Sequence, residues 1–521
     1  MPRRPREHEL REFRADIRRK ARNGPPLAAL PARRWRGPAN AASMHAVTRR
    51  AAVPVFVSAL LLVSLAGWLA AVAALWRSYF GMFPATGVVA ALADAVLRGQ
   101  APGHEDGTAF LVSYYFPPFP ILVAAAHRSG LEWLQALRAS SLLCGALVLA
   151  SAAWVAHALG AGRRGAWLAP ALVAATYSFK ASAIDGRADL LAVAFSLGAL
   201  AAWTRDPKAR GWALPALAAA SLLTKATSVS VPLALAASAL FRRDIGTLAR
   251  FAWRCAACAL LGLLLTLPAH GPEWYMDVLE TLVAAPPGES NLLRAPAELV
   301  RYLGACGELA LFVTLALALL LGRRMRGAPV AAFAAASLLI TLGVMTNVGS
   351  GPNHLDELGA VAAIGAAAWA APRLARPALL PPLALAIAVL GASWRDLLPA
   401  VRHAGAPGNV RAGVIDAVRS EPGPVLTEDA LISLAAGRRP AVSDAAPLNP
   451  LSSMSDPRAL RVVADLERRR FTLIVLDDDL RASARWYRVV YLGEPFVEAL
   501  KAHYRAAGVV DGYYLYRPGA E

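Results

Sequence analysis

Three groups of ionisable residues stand at the ends of apolar runs in this 521-residue chain: Asp185, Arg187 and Asp189; Lys225; and His354, Asp356 and Glu357. A charge at membrane depth costs several kcal/mol, about 2.5–3.5 on insertion scales, so such residues tend to be functional. Lys225 lies at the tip of a tight hairpin, where it either meets a phosphate or carboxylate or snorkels to the interface. The spacing Arg187-Ala-Asp189 puts the two side chains on different faces of a helix, so each is expected to have another partner. Glu105 and Asp106 form a further acidic pair in a Gly- and Pro-bounded loop ahead of Tyr114, Tyr115, Phe116, Pro117 and Pro118. They are candidates for acid/base catalysis, and they leave room for a divalent cation. The run Asp477-Asp478-Asp479 follows a short apolar strand and reads either as a cation site or as an acidic strand end at the surface.

The elements that must position these groups are mostly transmembrane helices. The chain is 57% hydrophobic and only 17% charged, where a soluble domain carries about a quarter of its residues as charges. A bilayer core of about 30 Å needs roughly 20 helical residues. Spans are accordingly expected near 52–76, 138–159, 165–180, 187–204, 209–225, 226–241, 248–269, 304–322, 328–346, 357–372 and 378–394, eleven in all. Pro117 to Ala126 is apolar but too short to cross unaided, and is expected to re-enter or to form part of a broken span. Links carrying Arg163-Arg164, Arg205/Lys208/Arg210, Arg242-Arg243, Arg323-Arg324/Arg326 and Arg373/Arg376 alternate with links poor in Lys and Arg. By the positive-inside rule the first set is cytoplasmic. The three polar groups then share the outer face, together with a long first outer loop, 78–117, that holds a surface helix from Val88 to Arg98. The net charge of +18 therefore reads as topology, and no nucleic-acid partner is expected.

Residues 1–50 carry fourteen Lys and Arg against four Asp and Glu, and are expected to form a disordered cytoplasmic arm. They hold no signal-peptide core, and Met44 offers an alternative start. Cys144, Cys255, Cys258 and Cys306 read as apolar packing residues, so no metal is assigned to them. The membrane domain is expected over 51–394. Residues 395–521 alternate short apolar strands with helical stretches such as 456–470, a soluble α/β domain. With eleven spans and a basic N-terminus inside, that domain is extracytoplasmic.

The order of these pieces resembles the GT-C class of integral-membrane glycosyltransferases, in particular the bacterial relatives of protein mannosyltransferases and of the lipid A aminoarabinose transferase. The resemblance rests on Tyr114-Tyr-Phe-Pro-Pro-Phe-Pro120 closing the first outer loop, Gly186-Arg-Ala-Asp-Leu-Leu191, Leu222-Leu-Thr-Lys-Ala226, Asn353-His-Leu-Asp-Glu357, and an outer C-terminal domain. It covers roughly Ala51 to the C-terminus. It implies a GT-C-like fold in a bacterial plasma membrane, and transfer of a sugar from a polyprenyl-phosphate carrier to a lipid, glycan or protein acceptor of the cell envelope. By resemblance Lys225 contacts the carrier phosphate, with Arg187 assisting. Asp189, Tyr114, Tyr115, His354 and Glu357 are the further candidates for holding substrate. The chain departs from the family in the stretch Phe83-Pro-Ala-Thr-Gly-Val-Val89, where Thr86 stands at about the place of the family's catalytic carboxylate. A threonine hydroxyl is no base near neutral pH, so either Glu105 or Asp106 has taken over or the family reaction is lost.

Two other classes fit the same residues. An inactive relative would bind lipid phosphate without transferring sugar. A transporter or flippase would also place polar residues on broken helices, although the chain has no internal inverted repeat and its polar groups gather outward.

Overall fold

An alanine-rich chain with few charges inside its apolar runs can satisfy its backbone away from water by forming helices. Helices stand at ten of the eleven expected spans. The computed structural model describes residues 62, 65–76, 84–100, 110, 112, 115–270, 273–284, 294–305, 308–321, 329–346, 351–371 and 411–519. The eleventh span and the basic arm lie outside the described residues.

In chain order the helical part comprises α1 (Leu65–Leu75), α2 (Pro84–Leu97), α3 (Pro118–Arg128), α4 (Trp133–Ala158), α5 (Gly162–Ala175), α6 (Tyr177–Asp185), α7 (Asp189–Arg205) and α8 (Ala213–Thr224). It continues with α9 (Ser230–Phe241), α10 (Ile245–His270), α11 (Glu273–Ala284), α12 (Arg294–Ala305), α13 (Leu309–Leu321), α14 (Pro329–Met345) and α15 (Asp356–Ala370). Within α4 and α10, Trp133–Ala158 and Ile245–Leu267 are each long and apolar enough to cross a bilayer. The second segment leaves Leu260, Leu261, Leu264 and Leu265 more than half exposed. A ridge of bare leucines of that size is stable against lipid and not against water.

Two elements depart from the sequence reading. The expected span at 165–180 is two helices, because Thr176 is extended (ψ 145°) and its Oγ1 donates to the Val173 carbonyl at 2.7 Å. Lys180, at the end of that expected span, therefore sits on the buried face of α6. The helix expected on the surface at 88–98 begins at Pro84 and is interior, with Val88, Val89, Ala90, Leu92 and Ala93 all buried. The C-terminal domain covers it. Gly87 is the contact point: a Cβ there would lie 2.2 Å from Asp429 Oδ1 and 2.8 Å from the Leu431 nitrogen.

That domain is a four-stranded sheet in the order β1 (Val425–Thr427), β2 (Leu473–Leu476), β4 (Tyr513–Pro518), β3 (Tyr504–Val510), with β1 and β2 parallel and the other pairs antiparallel. Helices α16 (Ala412–Ser420), α17 (Ala430–Ala435), α18 (Leu448–Ser453), α19 (Pro457–Glu467) and α20 (Glu494–His503) complete it. The Asp456 carboxylate caps α19 by accepting from the Arg458 nitrogen at 2.8 Å. Two further ties hold the domain to the helical part: Arg458 pairs with Asp277 of α11 at 2.5 Å, and the segment at 441–443 runs parallel to Phe110 of the first loop.

Candidate functional site

Members of each of the three polar groups read from the sequence, Asp189, Lys225, and His354 with Glu357, meet in one cleft walled by α7, α9, α14, the start of α15, the loop before α9 and the 3₁₀ turn Pro352–Leu355. Its lining includes Asp189, Lys225, Thr227, Ser228, Ser230, Ser337, Thr341, Asn353, His354 and Glu357. Each arrives by a local necessity of the chain. α8 ends at Thr224, leaving Lys225 extended (φ −150°, ψ 121°) in a short turn before α9. Asp189 opens α7, where the helix dipole favours a carboxylate. Gly186 makes the turn from α6 to α7 in the left-handed region (φ 75°), and a Cβ there would lie 2.9 Å from the Leu137 Cβ.

Lys225 and Asp189 form an ion pair, and Asn353 Nδ2 donates to the same Asp189 Oδ1 at 2.9 Å. The Glu357 carboxylate accepts from the hydroxyls of Ser230 and Ser337. His354 contributes its backbone carbonyl to Thr341 Oγ1 at 3.3 Å, and its ring lines the cleft. The wall thus presents one ammonium with its partner carboxylate, a carboxylate held by two serines, an imidazole and several hydroxyls. A group of that composition can bind an anion through Lys225 while the hydroxyls and carboxylates hold a polyol.

Arg187 is beside the cleft and not on its wall; it pairs with Asp185 at 3.6 Å. Tyr115 is also off the wall. Its backbone carbonyl accepts from Trp274 Nε1 at 2.9 Å, and its phenol is within electrostatic reach of Arg187, Asp189, Asp185 and Asp444. Glu105, Asp106 and Tyr114 lie outside the described residues. Thr86 is wholly buried next to this ensemble, and its Oγ1 donates to the Asp185 carbonyl at 2.6 Å.

Sequence reasoning missed several polar residues. Ser230, Ser337 and Thr341 gave no signal, since hydroxyl residues are common in apolar helices. Glu308 stands among hydrophobic residues yet is fully buried, accepting from the nitrogen and hydroxyl of Ser178 at 3.0 and 2.8 Å. An acidic residue inside an expected span was the signal for it. In the C-terminal domain, Asp477 of the acidic run is half-buried at the end of β2, and its backbone nitrogen donates to Glu428 Oε2 at 2.9 Å. Burial and the neighbouring carboxylates raise both acids. Among the described residues no group of three or more His, Cys, Asp and Glu is placed to hold a metal ion.

No protein-family model and no curated protein matches the chain. Solved structures do. The crystal structure of ArnT from Cupriavidus metallidurans bound to undecaprenyl phosphate superposes with a TM-score of 0.57 at 13% identity, over 89% of this chain and 99% of that one. The chain has the ArnT fold. The apo form of the same ArnT agrees, with a TM-score of 0.56 over 90% of this chain and 100% of that one. Archaeal oligosaccharyltransferase AglB from Archaeoglobus fulgidus, in complex with an inhibitory peptide and a dolichol-phosphate, is also similar, with a TM-score of 0.46 at 13% identity over 89% of this chain and 74% of its own. The ArnT likeness spans the helical part and the C-terminal sheet together, so the resemblance read from scattered motifs holds for the fold as a whole.

Proposed function

We propose that this chain transfers a sugar from a polyprenyl-phosphate-linked donor to an acceptor on the outer face of a bacterial plasma membrane. The observation that carries the reading is the cleft: Lys225, Asp189, Asn353, His354 and Glu357, from three distant parts of the sequence, converge in a fold shared with an ArnT that was crystallised with undecaprenyl phosphate. The lipid-borne donor reaches such a site sideways from the bilayer. Its phosphate exchanges onto the Lys225 ammonium, with Arg187 adding positive potential behind Asp189. The acceptor oxygen attacks the anomeric carbon, the bond from that carbon to the phosphate oxygen breaks, and polyprenyl phosphate leaves with the electron pair. On this reading Glu357, His354, Tyr114 and Tyr115 contact the sugar or the carrier. Glu105 and Asp106 are the first-loop candidates for the base. The odd number of spans expected from the sequence puts the C-terminal domain outside, over the site.

The test is release of undecaprenyl phosphate from a panel of undecaprenyl-phosphate-linked pentoses and hexoses. The full chain is reconstituted in phosphatidylethanolamine and phosphatidylglycerol vesicles, with extracted envelope lipids and glycans as acceptors. One productive donor is expected. A second reading, a lipid-phosphate binder without transfer, is favoured by Thr86, whose hydroxyl is spent on the Asp185 carbonyl where a carboxylate was expected. Saturable undecaprenyl phosphate binding with no release from any donor would decide for it.

A further inference from the structure

At the end of α8 away from Lys225, a basic turn is bound to the start of α10. Residues 206–211 join α7 to α8, and Trp212 stands immediately before α8. Lys225 stands immediately after it, so the length of the helix puts Trp212 and the cleft lysine roughly 20 Å apart. Arg254 Nη1 donates to the carbonyls of Ala209 at 3.1 Å, of Arg210, and of Gly211 at 3.3 Å. One turn earlier on α10, Arg250 Nη2 donates to the Lys208 carbonyl at 3.4 Å. These bonds use only the backbone of the turn, and the side chains of Lys208 and Arg210 stay exposed ahead of Trp212.

Cations outnumber acids here. Asp206 Oδ2 accepts from the Gly211 nitrogen at 2.7 Å, and the Asp244 carboxylate accepts from the Thr247 nitrogen and hydroxyl at 3.0 and 2.7 Å. Among the described residues no carboxylate pairs with Arg254. Its hydrogen bonds end on neutral carbonyls, and its guanidinium lies 5.1 Å from the Trp212 ring and 5.4 Å from the Trp253 ring. The two indoles meet edge to face with centroids 5.3 Å apart, and both are half exposed. Trp253 leads into the leucine ridge of α10: Leu260 and Leu264 fall on its helical stripe, with Leu261 and Leu265 beside them. From Trp253 to Leu265 the helix rises roughly 18 Å, close to the hydrocarbon depth of one leaflet, about 15 Å.

We propose that this end of α10 binds one anionic phospholipid, with its phosphate at Arg254, Lys208 and Arg210 and its acyl chains along the stripe from Trp253 to Leu265. The phosphate oxygens accept charge-assisted hydrogen bonds from Arg254 Nη2, which donates to no described residue, and from the two exposed side chains of the turn. The indoles hold the level of the glycerol, where tryptophan favours the membrane interface. The excess of cations selects the headgroup. A zwitterionic lipid brings an ammonium that Lys208, Arg210, Arg250 and Arg254 repel, whereas a phosphatidylglycerol headgroup brings none. On the topology read from the sequence this is the cytoplasmic leaflet, so the lipid sits across the membrane from the cleft and is independent of the chemistry there. The simpler role, an aromatic and basic belt that meets any lipid, would give no preference between headgroups.

The deciding experiment is native mass spectrometry of the full chain in detergent, titrated with phosphatidylglycerol or with phosphatidylethanolamine of matched acyl chains. Wild type should bind one phosphatidylglycerol in preference to phosphatidylethanolamine. Each cation beside the phosphate contributes about a fivefold gain, so Lys208→Gln with Arg210→Gln should weaken phosphatidylglycerol binding by about 25-fold. That double variant keeps every backbone carbonyl that Arg250 and Arg254 hold, and its melting temperature should match wild type. The same change at Arg163 and Arg164, an exposed basic pair on another link, should leave the affinity within about twofold of wild type. Equal binding of the two lipids by wild type overturns the site in favour of a plain interfacial belt. So does a similar loss in both double variants, or an undiminished preference in Lys208→Gln with Arg210→Gln. Displacement of the bound phosphatidylglycerol by excess undecaprenyl phosphate would also overturn it, since the phosphate group would then belong to a carrier lipid.

Discussion

The Lys225 ammonium closes on the Asp189 carboxylate although the two residues are 36 positions apart and lie on different elements. The Asp189 side chain is 2% exposed and the Lys225 side chain 19%, so the pair opens toward the cleft only from its cationic side. An incoming phosphate therefore competes for, or shares, an ammonium that already has an anion. A lone lysine snorkelling to the interface would have no such partner.

Truncating Lys225 leaves Asp189 buried with only Asn353 on the shared oxygen. Removing one member of a buried pair costs about 3–5 kcal/mol. Lys225→Ala should lower the melting temperature in detergent and abolish undecaprenyl phosphate binding. Lys225→Met with Asp189→Asn should recover most of the stability and none of the binding. Equal melting of wild type and Lys225→Ala would contradict the buried pair; retained binding in the double variant would contradict the phosphate role.

Thr86 holds the Asp185 carbonyl at the end of α6, immediately before the Gly186 turn. Thr86→Val keeps the shape and loses the hydrogen bond, and should destabilise the protein by about 1 kcal/mol. Thr86→Asp should be worse, because an ionised carboxylate cannot donate and would face a carbonyl oxygen in a wholly buried place. Thermal unfolding of the two variants checks the order, and a reversed order would remove Thr86 from this structural role.

Gly87→Ala puts a methyl group into Asp429 and the start of α17. The α2 backbone and the C-terminal domain cannot both stay where they are, so protease accessibility of 411–519 in the reconstituted protein should rise while the helical part stays folded. Unchanged cleavage would show that the two elements do not touch at this point.

What the sequence made legible follows from cost. Asp189, Lys225, His354 and Glu357 stood out because charges are rare in apolar runs, and the cleft unites them. The span expected at 165–180 is broken at Thr176, a hydroxyl residue inside an apolar run that gives no local sign of a turn. The helix at 84–97 looked like a surface element because half of its cover, the Asp429 turn and α17, arrives from more than 330 residues later. Ser443 carried no local signal at all: its place is set by pairing with Phe110, and only the folded chain reveals it. β3 is largely exposed at the edge of the sheet, and its sequence alternates too weakly to read as a strand.

The acidic group at the ends of β1 and β2 sets a pH dependence with a definite sign. Glu428 and Asp477 follow adjacent parallel strands, with Asp429 and Asp478 beside them and Arg411 paired to Asp429 at 2.8 Å. The Tyr487 hydroxyl donates to Glu428 Oε2 at 2.8 Å, yet burial outweighs it and lifts Glu428 to about 7; burial, then the Glu428 charge, lifts Asp477 to about 8. Unfolded, both titrate near 4. The native state therefore binds protons that the unfolded chain releases between about pH 4 and 8, so stability is fully present below the unfolded values and is lost as the pH rises through the folded ones. Hydrogen-exchange protection of the β1 and β2 amides in the full chain, corrected for intrinsic rates, should fall from pH 5 to pH 8. Glu428→Gln should flatten that fall, since it removes both a titrating group and the charge that raises Asp477. Protection that stays constant across this range, or that increases with pH, would mean that these two carboxyls are not held together in the folded protein.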